Sequence, residues 1–222
     1  MKTMMLAVPA ALTLTAASAN AALVNGDFQT DAVSGIDNQL VPAGWSHSEE
    51  PINTNDVSGV RDNGPLADAT RDQFFYMNQF RSGNSALLFQ DTGIVIVEGY
   101  TYILTADVGE QSNQLDDDLG RIGLYGSTLG TGTDFAELTD IDPGATSTSA
   151  AWDTFQTQFT ATSAQAGQTL GVYLGFGAQT GETTQGLNVS FDNVSVTEII
   201  PEPGSLALVG LGGLCLLRRR RG

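Results

Sequence analysis

The side chains in this sequence that could do chemistry are mostly oxygen donors. Asn25-Gly26-Asp27 lies near the start and Asp192-Asn193 near the end. Carboxylate and amide oxygens of this kind suit a hard divalent cation such as calcium, which takes six to eight oxygens. Asp116–Gly120 and Asp140–Gly144 each contain Asp-x-Asp-x-Gly, as an EF-hand loop does, but position twelve is Ser127 in one and Ala151 in the other. Without the bidentate glutamate both read as acidic surface loops. His47 is the only histidine, so any Ser-His-Asp arrangement must use it. The sequence has no Gly-x-Ser-x-Gly elbow and no His-Glu-x-x-His. Cys215 is the only cysteine and sits in the C-terminal apolar run, so the middle has no thiol nucleophile. The expectation is therefore a protein that is not an enzyme. Only paired carboxylates stay open as a catalytic route. Among the aromatics, Trp45 stands beside Pro42 and Gly44 and is the expected exposed ring for stacking a ligand. Trp152 and Phe74-Phe75-Tyr76 read as core.

Charge narrows the partners. The chain of 222 residues carries 25 acidic and 9 basic residues, a net charge of −16. Between Lys2 and Arg218 only four arginines oppose all 25 acids, a net charge of −21. Such a surface repels phosphate backbones, which excludes nucleic acid as a partner.

Both ends read as addresses. Met1-Lys2-Thr3 precedes an apolar stretch to Ala17 and the small-residue run Ala19-Asn20-Ala21. That is a secretory signal peptide over residues 1–21, cut after Ala21 or, as the alternative, after Ala19. At the other end stand Pro201-Glu202-Pro203, the apolar run Gly204–Leu217 and four arginines, Arg218–Arg221. The apolar run, as helix, reaches about 21 Å against a hydrocarbon core of about 30 Å. It is a short transmembrane segment whose basic end stays cytoplasmic. The three parts in this order resemble the PEP-CTERM sorting tag. The resemblance implies an exosortase-type processing enzyme as partner, transient membrane anchoring, and an exopolysaccharide setting. Residues 201–222 are assigned to it.

The elements between, residues 22–200, must position the oxygen donors. Short runs alternate apolar and polar residues: Tyr100–Val108, Asp153–Thr160 with Phe155 and Phe159 inward, and Leu170–Phe176. Leu23–Phe28, Phe74–Met77, Ala86–Gln90, Ile94–Val97, Arg121–Tyr125 and Leu187–Val196 bring the total to about nine strands. That is an all-β, antiparallel β-sandwich. In the last run Val189 and Phe191 share one parity, whereas Val194 and Val196 share the other. A bulge at Asp192-Asn193 is expected, and it re-aims Asp192. The ordered series Leu23–Phe28, Gly44-Trp45, Gly99–Tyr102, Trp152–Phe155 and Phe191–Val196 resembles jelly-roll, galactose-binding-like carbohydrate-binding modules. In that family the first and last strands hold a structural calcium ion, which implies Asn25, Asp27 and Asp192 as ligands. Gln29 replaces the glutamate often found there. The combined expectation is an exported, non-catalytic, glycan-binding protein of the surface or extracellular matrix. A structural adhesion protein and a glycan-active hydrolase are the alternatives.

Overall fold

The computed structural model describes residues 17–21, 23–31, 36–38, 40–48, 57–62, 73–79, 87–110, 120–126, 134–141, 143, 151–176 and 187–201. They form twelve strands: β1 (Ala17–Ala21), β2 (Ile36–Asn38), β3 (Ser46–His47), β4 (Val57–Asp62), β5 (Gln73–Gln79), β6 (Leu87–Val95), β7 (Thr101–Glu110), β8 (Gly120–Gly126), β9 (Asp134–Ile141), β10 (Ala151–Thr160), β11 (Thr169–Phe176) and β12 (Leu187–Ile200). Every pairing is antiparallel. One sheet runs β10-β7-β12-β5-β4-β2, with β1 added to β12, and the other runs β3-β6-β11-β8-β9. This is the expected jelly-roll-type sandwich.

Alternation explains the packing. Tyr102, Leu104, Ala106 and Val108 of β7 face Leu170, Val172 and Leu174 of β11 and Ile122 and Leu124 of β8 in one core. Each large apolar side chain buried there contributes about 1.5–3 kcal/mol. Tyr102 enters the core without stranding its hydroxyl, which accepts a 2.9 Å bond from the Val97 amide. Its ring stacks on Phe159 of β10 at 5.4 Å.

Several expectations shift. Ala86–Gln90 and Ile94–Val97 merge into β6, which carries Gly93 at φ 74°. Leu23–Phe28 is a turn rather than a strand, because Asn25 and Phe28 both adopt left-handed backbone. Asp140 and Ile141, expected in an acidic surface loop, belong to β9. Ala17–Ala21, inside the expected signal peptide, pairs with Val196–Ile200. Among the described residues no helix is long and apolar enough to cross a membrane. The run 204–217, like Glu202 and Pro203, lies outside them.

Candidate functional site

The turn before β2 is built around strained backbone. Asn25 has φ 53° and Phe28 has φ 55°. A bulky residue in that region costs about 1–3 kcal/mol. Burial offsets the cost: Phe28 is wholly buried, with its ring 5.6 Å from Trp45 and 5.9 Å from Phe75. The Asn25 side chain knits the loop, its Oδ1 accepting from the Thr30 amide at 2.9 Å and its Nδ2 donating to Asp31 at 2.7 Å. Trp45 Nε1 donates to the Asn25 carbonyl at 3.1 Å. Trp45 is only 6% exposed. The expectation of an exposed stacking platform at Trp45 is therefore corrected. Its ring fills the core beneath the turn, and its one polar atom is spent on the turn itself.

The expected bulge is present in β12. Its register against β7 shifts between Asp192 and Ser195, and Asn193 has φ 49°. The shift frees the Val194 amide, which donates to the Gly26 carbonyl at 2.8 Å. A side chain on Gly26 would collide with the Val194 carbonyl oxygen, so only glycine allows this approach. Turn and bulge together border a concavity of about 460 Å³, whose polar lining is Asn25, Asp27, Thr30, Asn193 and Ser195. Two of the three expected metal ligands, Asn25 and Asp27, therefore meet. Asp192 is not in that lining.

Asp192 instead joins a cluster on the outward face of the larger sheet. It stands directly opposite Asp107 of β7, which in turn stands opposite Thr154 of β10. Side chains directly opposite on antiparallel strands share a face, with Cβ atoms about 4.5–5.5 Å apart. Asp107 accepts from Thr154 Oγ1 at 2.6 Å and from Asn193 Nδ2 at 2.9 Å. Asp192 accepts from the Asn193 amide at 2.7 Å. Both carboxylates are buried, Asp107 at 8% and Asp192 at 2% exposed. Among the described residues their donors include Thr154 and Asn193, with Asn193 touching both. Beside them Trp152 lies over Gly109, where a Cβ would come within 2.7 Å of its ring. Trp152 also packs edge-on against Phe74 at 5.6 Å. The core assignment of Trp152 fails, and the sequence held the reason. With Phe155 and Phe159 inward, Trp152 and Thr154 have the opposite parity. Asp107 likewise opposes Ala106 and Val108.

Aromatic surface next to opposed carboxylates can accept hydrogen bonds from hydroxyls, hold a cation, or move a proton. Residues 200–221 match the PEP-CTERM protein-sorting motif. The chain carries that sorting tag. The motif is the recognition signal for exosortase processing, and it implies export and membrane anchoring before processing. No curated protein matches the chain. Among solved structures, a Stig cyclase from Fischerella sp. TAU, in complex with (3Z)-3-(1-methyl-2-pyrrolidinylidene)-3H-indole, superposes with TM-score 0.65 at 20% identity over 82% of this chain and 98% of its own. The enzymatically active domain of bacteriophage CBA120 tailspike protein 4 gives 0.50 at 14% identity over 80% of this chain and 21% of its own. Clostridium thermocellum endo-1,4-beta-D-xylanase 10B modules, complexed with xylohexaose, give 0.43 at 13% identity over 72% of this chain and 27% of that one. Likeness at this identity shows the fold. It also corrects the expectation of a chain that is not an enzyme, because cyclases use this sandwich along nearly their whole length. The missing hydrolase motifs do not speak against catalysis on such a scaffold.

Proposed function

We propose that the tagged protein is a glycan-binding domain of the cell surface or extracellular matrix, associated with exopolysaccharide. Its site is the outward face of the larger sheet around Asp107, Asp192 and Trp152. The observation that carries this reading is the opposed carboxylate pair, held by Thr154 and Asn193 beside a half-buried indole. Carboxylate oxygens accept hydrogen bonds from sugar hydroxyls, and an indole face covers the apolar face of a pyranose. Trp152 is the more accessible part of that face, and the carboxylates lie buried beside it. Binding of the secreted protein to a glycan panel tests the reading. Binding that survives both Trp152→Ala and Asp192→Asn removes the site, and no binding to any glycan favours a structural adhesion role.

A second reading has its own support. Two carboxylates fixed on one face form an acid–base pair, and the fold is one that cyclases use. Turnover abolished by Asp107→Asn, with ligand still bound, is the expected signature.

Calcium belongs to the same proposal as a structural ion where turn and bulge meet. The donors there are hard oxygens, the kind calcium takes. The Asn25 amide is already committed to Thr30 and Asp31. The ion would therefore lean on Asp27 and on the hydroxyls of Thr30 and Ser195.

A further inference from the structure

We propose that the Val196–Ile200 edge of β12 is the docking edge for the exosortase-type processing enzyme, and that β1 covers this edge until the signal peptide leaves. One side of β12 is paired with β7 to Ile199. Its other side is divided among three partners. β5 takes Leu187–Phe191, the Gly26 carbonyl takes the Val194 amide, and β1 takes Val196–Ile200. The β1 register begins at Ala21↔Val196 and ends at Ala17↔Ile200. A leader cut after Ala21 therefore removes this whole strand. The Gly26–Val194 clip lies beyond the cut and keeps the bulge in place.

What remains is a strand edge that has lost its β1 ladder, which is a template for strand addition. The template stops at Pro201, whose ring nitrogen has no hydrogen to donate. The sorting motif starts at residue 200, so the open edge and the motif are contiguous. A protease that holds its substrate as an added strand would find the upstream side of the motif already extended. Charge argues against a second copy as the occupant, because each copy carries −21 between Lys2 and Arg218. While β1 is in place this edge, the one next to the motif, is closed. The N-terminal cut thus precedes and licenses the C-terminal one. None of this depends on the ligand of the outward face.

Two full-length precursors with the same foreign leader test the proposal. One is joined at Ala17, so that β1 survives leader removal, and the other at Ala22. Each is expressed with the exosortase-type enzyme, and tag loss is followed by mass. The Ala17 form should be processed about tenfold slower or more, since a few net hydrogen bonds must be displaced. Ala19→Pro in that form, which breaks the middle of β1, should restore the rate. Equal rates for the two forms overturn the proposal. So does a slow Ala17 form that Ala19→Pro fails to rescue, because the added residues would then act by some means other than pairing. Amide exchange covers the remaining occupant: protection of Val196–Ile200 in the Ala22 form that rises with protein concentration assigns the edge to a second copy and also overturns it.

Discussion

The two outward faces of the sandwich are built from similar residues and come out differently. On the smaller sheet, Tyr125 lies over Gly171 and Tyr173 over Gly123, so two glycines receive two rings from neighbouring strands. The rings are 6.4 Å apart. Tyr125 donates to Asp91 at 2.7 Å, and Arg121 meets Glu137 at 3.5 Å while its guanidinium sits 5.8 Å from the Tyr173 ring centroid. Opposite charges meet, and flat rings cover bare backbone. On the larger sheet, Trp152 over Gly109 repeats the ring-on-glycine device, but the polar groups beside it are two carboxylates facing each other. On the first face the rings pack over glycine and a cation meets a carboxylate; on the second two buried carboxylates stand directly opposite each other beside the ring.

Gly171→Val drives a side chain into the Tyr125 ring and should cost about 3 kcal/mol in denaturant unfolding, the upper part of the overpacking range. Gly109→Ala meets Trp152 at the half-open rim and should cost about 1 kcal/mol. Equal losses would erase the distinction between a packed face and an accessible one. Next comes the ion. Calcium at a hundredfold excess over its dissociation constant should stabilise the protein by about 2.7 kcal/mol over a chelated sample. Asp27→Asn should remove most of the gain in thermal midpoint, and identical midpoints would eliminate the ion. For the ligand, Trp152→Ala or Asp192→Asn should weaken glycan binding by about 2 kcal/mol, roughly thirtyfold, with Tyr173→Phe unchanged as the control from the other face.

The smallest effect is one of pH. Burial, with Asp91 beside it, pushes the Tyr125 hydroxyl above its ordinary value of 10.0, and burial raises Tyr173 likewise. The neutral phenol is the form the fold favours. Its stabilisation is complete below the unfolded value and is lost as pH rises from there toward the folded one. Unfolding midpoints should therefore fall above pH ~10, and less steeply in Tyr125→Phe.

The sequence held much of the fold and little of the site. The bulge was legible because the parity of Val189 and Phe191 cannot continue into Val194 and Val196 without one. The Leu23–Phe28 turn was not, because a left-handed phenylalanine has no local signature. It is imposed by the pocket between Trp45 and Phe75. Strand β4, Val57–Asp62, has Gly59 in its middle and weak alternation. It gains its strand character by pairing with β5. The outward face of Trp152 could have been read from Phe155. The meeting of Asp107 with Asp192 could not, since it depends on β7 and β12 becoming neighbours across most of the chain.

Strand β12 continues to Ile200, and the sorting motif starts at that residue. Only Pro201, Glu202 and Pro203 separate the sheet from the apolar run, a leash of about 10 Å at full stretch. Two of these three residues are prolines, which stiffen what little slack there is. The membrane anchoring that the motif implies before processing therefore keeps the sandwich close to the bilayer. Cutting the tag then changes its search volume more than its shape.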